Sequence, residues 1–265
     1  MYIVERSIES PRGRIFGKLA LPDGATGTPG ASDTPGTPLP LVIYSHGFDS
    51  SGERGLRFAE AITHAGLALY CFDFRGGSTN SRSAGSPLDM SVLTEVADLT
   101  EVVDTLAADP RVDAESVFLF GASFGGLVSA LVAARMPGRI RGLALHYPGF
   151  CIPDDLRSRF ASAADVPETF FCLSMDVGRR YATDALALDP YAAISACTRD
   201  VLITHGSEDP LVDLSYSQRA ARTFAHAELH VIEGAGHGFA DGLELDQATG
   251  HLVRFLVSHL SEEQR

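Results

Sequence analysis

Long apolar runs are missing from these 265 residues. No stretch approaches the roughly 20 consecutive apolar residues that cross a bilayer, so a membrane-spanning helix is excluded. Met1 to Arg14 mixes charges into every turn and has no apolar centre, so no secretory leader is expected and a cytoplasmic location is the expectation. Cysteine is scarce: Cys71, Cys151, Cys172 and Cys197 stand far apart with no C-x-x-C pair, which points to buried thiols rather than disulfides or zinc. No His/Asp cluster has ligand spacing, so neither a metal nor another cofactor is expected. Positive charge is short too. A net charge of −13 argues against nucleic acid and against anionic membrane surfaces as partners. No internal repeat is present.

What remains is ordinary soluble composition, 45% hydrophobic and 21% charged, enough for a single domain over 1–265 with one sizeable core. The most informative stretch is Phe118-Leu119-Phe120-Gly121-Ala122-Ser123-Phe124-Gly125-Gly126. An apolar strand runs into a sharp turn, and Leu127, Val128, Leu131 and Val132 follow at helical spacing. With 26 glycines in the chain, G-x-S-x-G arises by chance in roughly one such sequence in five, so the strand–turn–helix context matters more than the pattern. That turn exposes the Ser123 hydroxyl. The helix behind it aims free N–H groups and its positive end at the place where an oxyanion would form.

Taken in order, Tyr2–Glu9 and Ile15–Leu21 form a predicted hairpin around Ser10-Pro11-Arg12-Gly13. Residues 22–40, rich in Gly, Pro, Thr and Asp, are expected as a long mobile surface loop. Further strands are predicted at Leu41–Tyr44, Leu67–Phe74, Val117–Phe120, Ile140–His146, Val201–Thr204 and Glu228–Ile232. Helices are predicted at Arg54–Ala65, Met90–Ala108, Phe124–Arg135, Leu214–Phe224 and Glu244–Leu260. The alternation implies an α/β fold, a mostly parallel sheet of about eight strands flanked by helices, with the opening strands antiparallel at one edge. Residues 150–189 break the alternation with prolines, aromatics and acids, and are expected as a small cap insertion over the carboxyl edge.

A serine nucleophile needs a histidine base and a carboxylate that orients it. His237 sits in the glycine-rich loop after the last strand; Asp209 lies in the turn after Val201–Thr204, with Glu208 and Asp213 as neighbours that chemistry alone leaves open. His146 and His205 end strands and could line a pocket, His46 shapes its loop, and His251 and His259 fall on the terminal helix. The order Ser123, Asp209, His237 is that of the α/β-hydrolase triad. The backbone N–H groups of Phe48 and Phe124 are the expected oxyanion donors.

With these motifs placed, the chain resembles the α/β-hydrolase superfamily, and within it the bacterial cinnamoyl (feruloyl) esterase-like serine hydrolases. The resemblance rests on His46-Gly47-Phe48, Phe72-Asp73-Phe74-Arg75-Gly76, Met90–Glu95, the Gly121–Gly126 turn, His205–Asp209 and Ile232–His237. It departs at Phe124, where the family often has glutamine, and at Gly77, where it often has histidine. The resemblance implies a cofactor-independent carboxylic esterase acting on a small-molecule ester, with Asp155 of the cap as a contact to ring hydroxyls of an aromatic acyl group. A peptidase- or lipase-like hydrolase with the same triad, or a small-molecule binding protein on the same scaffold, are the alternatives. A homodimer is compatible with the sequence.

Overall fold

The computed structural model describes residues 1–25, 37–261 and 264. Its strands are β1 (Tyr2–Glu5), β2 (Gly17–Leu21), β3 (Leu39–Ser45), β4 (Ala68–Phe72), β5 (Val112–Ala122), β6 (Gly142–His146), β7 (Thr169–Cys172), β8 (Met175–Gly178), β9 (Asp200–Gly206) and β10 (His226–Ile232). Eight of them form one sheet in the order β1-β2-β4-β3-β5-β6-β9-β10. β1 and β2 run antiparallel at one edge, and every pair from β3/β4 onward is parallel. This is the α/β-hydrolase fold. The inner strands β3, β6 and β9, and β5 from Ser116 onward, are buried almost throughout, as a parallel sheet covered on both faces requires, whereas β1 and β10 at the edges alternate toward water.

Helices α1 (Ala59–His64), α2 (Val92–Ala107), α3 (Phe124–Arg135), α4 (Ile152–Arg159), α5 (Arg179–Leu186), α6 (Pro190–Ile194), α7 (Leu214–Thr223) and α8 (Leu243–Ser258) complete the fold. Helix α2 starts where Ser91 and Thr94 form a reciprocal capping box, which satisfies two amides that the first turn leaves open. Helix α3 is apolar on every side, and Phe124 through Ala133 are all buried. Its leucines and valines each contribute on the order of 2 kcal/mol by leaving water, which anchors the turn in front of it.

Several boundaries differ from expectation. The opening hairpin is shorter: beyond β1 only the Ile8–Ile15 bridge continues it, closed by the Gly13 amide on the Ser10 carbonyl. The predicted helix from Arg54 begins as 3-10 turns over Gly52–Phe58 before α1. Strand β5 starts at Val112, since its acidic first half pairs only at its end against Leu39. Of the expected loop over 22–40, residues 26–36 lie outside the described residues, and β3 begins at Leu39. Residues 150–189 hold α4, the β7–β8 hairpin and α5.

Sheet order fixes where chemistry can sit. The chain leaves β3 for β4 on one side and returns past it to β5 on the other, so a crevice opens outside the carboxyl ends of β3 and β5. Ser45 pairs with Gly121 across those strands, which lays the loops that follow them side by side. Likewise Gly206 pairs with Ile232, bringing the loops after β9 and β10 together.

Candidate active site

Ser123 sits between β5 and α3 with φ of +52°, a left-handed conformation in which a non-glycine residue is strained. The turn closes tightly. A Cβ on Gly125 would collide with the carbonyl oxygens of Ser45 and His46, and one on Gly121 would meet Ser129 Oγ at 2.6 Å. The Ser123 amide donates to the His146 carbonyl at 3.0 Å and its carbonyl accepts from the Gly149 amide at 2.7 Å, so the turn is stitched to the segment after β6.

The structure brings together three of the expected side chains. Ser123 Oγ donates to His237 Nε2 at 3.0 Å, and His237 Nδ1 donates to Asp209 Oδ2 at 2.8 Å. Asp209 is braced further: its Oδ1 accepts from the amides of Leu211 and Val212 at 2.8 and 2.9 Å. His205 Nε2 donates to the Val212 carbonyl at 2.8 Å and reaches Asp209 Oδ2 at 3.3 Å, while its Nδ1 accepts from Ser217 Oγ at 2.6 Å. Burial alone would raise the Asp209 carboxyl. The bonds from His205, His237 and the two amides override it and hold that group well below the usual carboxylate range. Asp209 is therefore a fixed negative charge against Nδ1–H, leaving the Nε2 lone pair to face the serine.

Of the neighbouring acids, Glu208 points to solvent and Asp213 caps α7 through the Ser215 amide. His146 and His205 do not line the crevice. His205 is fully buried behind Asp209, and His146 is enclosed by the rings of Phe58, Phe120 and Phe239. Burial among those rings pushes His146 down to about 3, so it is neutral. His46 is also buried: its Nδ1 donates to the Gly47 carbonyl at 2.7 Å and its Nε2 accepts from the Phe74 amide at 3.1 Å. It pins the loop after β3 to the loop after β4.

That pinned loop passes against the serine. A Cβ on Gly47 would stand 3.2 Å from Ser123 Cβ. The Phe48 amide makes no hydrogen bond with any described residue, and the Phe124 amide, first in α3, has no intrahelical partner. Asp49, next in the loop at φ of +47°, accepts from Thr79 N and Oγ1 at 2.9 and 3.0 Å and from Ser174 Oγ, in the hairpin turn, at 2.7 Å.

A cavity of about 220 Å³ opens over Ser123, lined among others by Tyr44, Gly47, Phe48, Arg54, Tyr147, Leu173, Leu211 and His237. Asp155 is not among its lining residues; it sits on the exposed side of α4, its carboxyl paired with the Cys151 thiol. Phe48, Phe124 and Tyr181 pack edge-to-face, with centroids 5.4 to 6.4 Å apart, and join the loop after β3 and the start of α3 to α5; of the three, Phe48 lines the cavity and the other two are buried behind it. Reasoning from sequence did not find Tyr44, Arg54, Tyr147 or the His205–Ser217 brace, because no local pattern announces them. All four cysteines are free, and among the described residues no His/Cys/Asp/Glu group could hold a metal.

A family model described as serine aminopeptidase, S33 (Hydrolase_4) matches residues 36–192. Among curated proteins, rat monoglyceride lipase is 25% identical over 259 residues, covering 84% of this chain and 84% of the lipase. An uncharacterized protein of Mycobacterium tuberculosis is 28% identical over 231 residues, covering 84% of this chain and 72% of its own. Among solved structures, Est1E from Butyrivibrio proteoclasticus with ferulic acid bound aligns with a TM-score of 0.83 at 22% identity, over 96% of this chain and 98% of that one. The monoacylglycerol lipase of Paleococcus ferrophilus aligns with a TM-score of 0.67 at 19% identity, over 85% and 97%. These structures share the fold.

Proposed function

The chain belongs to the serine aminopeptidase, S33 (Hydrolase_4) family, and from that premise we propose that it hydrolyses carboxylic esters through Ser123, His237 and Asp209. One observation carries this reading: the unbroken line Ser123 Oγ–His237 Nε2 at 3.0 Å and His237 Nδ1–Asp209 Oδ2 at 2.8 Å, opening on a cavity. Ser123 Oγ attacks the ester carbonyl as His237 Nε2 takes its proton. The ionised Asp209 stabilises the imidazolium that forms and keeps it in register. The amides of Phe48 and Phe124 receive the oxyanion. His237 then returns the proton to the leaving alcohol, an acyl group remains on Ser123, and water activated by the same imidazole releases it.

An aromatic acyl group, hydroxycinnamoyl in type, is the substrate we favour. Phe48, next to the oxyanion amides, lines the cavity with its ring braced from behind by the buried rings of Phe124 and Tyr181, and Est1E, of the same fold, is known with ferulic acid bound. Release of an amino-terminal residue is disfavoured. An aminopeptidase needs an acidic group for the substrate amine, and the described residues lining the cavity include an arginine but no carboxylate.

Fluorophosphonate labelling tests the nucleophile, and a panel of esters tests the acyl group. Ser123→Ala should abolish both labelling and hydrolysis of a p-nitrophenyl ester while the circular dichroism spectrum is unchanged. Hydrolysis undiminished in that variant would assign the chemistry to another residue. Hydroxycinnamate esters should be cleaved faster than acyl esters of equal length lacking the ring, and the reverse order would remove the aromatic assignment.

A further inference from the structure

The cavity over Ser123 is equipped on its His237 side with donors that no described residue uses. Tyr44 and Tyr147 are buried to 4% and 8% exposure and both line it, yet neither hydroxyl is paired with any described residue. Neither oxygen is among the described polar atoms sealed off without a partner, so both hydroxyls open on the cavity, where a guest can accept from them. Tyr147 is held there under strain, at φ of +37°, by its amide bond to the Thr204 carbonyl at 2.8 Å and by its ring against His237 at a centroid distance of 4.5 Å. Burial pushes the Tyr147 phenol up to about 12 and Tyr44 well above its ordinary value, so both remain donors throughout the working range.

Arg54 adds a charge. Its guanidinium makes no ion pair or hydrogen bond among the described residues, in a chain of net charge −13. Arg57, three residues on, is committed to the carbonyls of Gly238 and Phe239 and to Asp241. Arg54 lines the cavity, and a Cβ on Gly238 would lie 3.9 Å from its Nη2. It therefore stands beside the loop that presents His237.

Position within the reaction assigns these donors to one half of the substrate. His237 must return a proton to the departing oxygen, so the alcohol portion lies on its side of the cavity. We propose that Arg54, Tyr44 and Tyr147 form a subsite for an oxyanion, carboxylate or phosphate, on the alcohol half of the ester. A guanidinium and two neutral hydroxyl donors match such a group, which accepts several hydrogen bonds at once. A neutral alcohol would leave the guanidinium unpaired. The proposal deepens the esterase reading and rests on it for which half of the ester is bound.

The test separates binding from turnover. Butyryl esters of glycerol, glycerate and glycerol 3-phosphate share one acyl group and differ in the charge of the alcohol; kcat/KM should be higher for one or both anionic esters than for the neutral one. Arg54→Gln should lower the anionic-to-neutral ratio by about tenfold, the size of one charge-assisted hydrogen bond, and Arg54→Lys should recover part of it. The preference should shrink as salt rises, because a partly exposed pair is screened. The glycerate and phosphate arms say which anion is served. In parallel, Ser123→Ala protein titrated calorimetrically should bind glycerate or glycerol 3-phosphate more tightly than glycerol, and adding Arg54→Gln should erase the difference. Equal binding of all three would overturn the subsite whatever the enzyme hydrolyses. Anion-selective binding in a protein whose hydrolysis survives Ser123→Ala would uphold the subsite and refute the triad reading.

Discussion

Asp209 and Glu95 are both carboxylates withdrawn from water, one on the loop after β9 and the other in the first turn of α2. Asp209 receives two backbone amides and two imidazoles. Glu95 receives nothing among the described residues: neither oxygen has a partner there, and the group lies against Gly77, where an added Cβ would come within 3.1 Å of Oε1. Burial then acts unopposed, and the nearby Asp98 adds to it, so the Glu95 carboxyl is pushed well above its ordinary range and stays neutral. Depth alone sets neither charge nor role; the supply of donors does.

The largest contrast is catalytic. Asp209→Asn keeps the shape but removes the charge opposite Nδ1, and kcat should fall on the order of 10³–10⁴-fold, read on any ester the wild type cleaves. Glu95→Gln should leave kcat within about twofold, because no reacting group depends on it. A drop comparable to that of Asp209→Asn would erase the distinction. Between them comes Phe48→Pro, which deletes one of the two amides proposed to hold the oxyanion and should cost about 10²–10³ in kcat with native folding. Full activity in that variant would reassign the donor.

A slower, thermodynamic contrast appears in stability against pH. The native Asp209 binds its proton less tightly than the unfolded chain does. Its contribution is complete above the ordinary aspartate value of about 3.9 and is lost as pH falls toward the native value. Glu95 has the opposite sign. Its native form binds the proton more tightly, so its contribution is complete below the ordinary glutamate value of about 4.3 and is lost as pH rises toward the native one. Denaturant midpoints from pH 4.5 to 8 should therefore decline less steeply in Glu95→Gln than in wild type. Parallel curves would mean that the carboxyl is ionised in the fold.

The smallest effect sharpens the account of the brace. Ser217→Ala removes the donor to His205 Nδ1 and should cost about 1–3 kcal/mol of stability with Ser123 still labelled by a fluorophosphonate. Loss of labelling without loss of stability would place Ser217 in the reaction itself.

The sheet, its antiparallel edge and the meeting of Ser123, His237 and Asp209 were legible because each depends on local grammar: an apolar run, then a turn rich in glycine or aspartate, at the end of a parallel strand. The β7–β8 hairpin was not. Its turn passes through Leu173 at φ of +52°, a conformation that sequence rules reserve for glycine or asparagine, so no turn signal marks it. Asp113 and Glu115 hid the first half of β5 in the same way. Arg54 and Tyr147 escaped for another reason. They are 93 positions apart and meet only because β3, β5, β6 and β9 lie in that order, information that no single segment holds.

Asp49 bonds simultaneously to Thr79 and to the hairpin tip at Ser174, and its neighbour in the chain is Phe48. Whatever wedges that tip outward must either snap the carboxylate's grip or drag the adjoining amide with it. On the proposed reading, bulk at one end of a guest would thereby be felt at the other, and size selection and rate would share a single fastening.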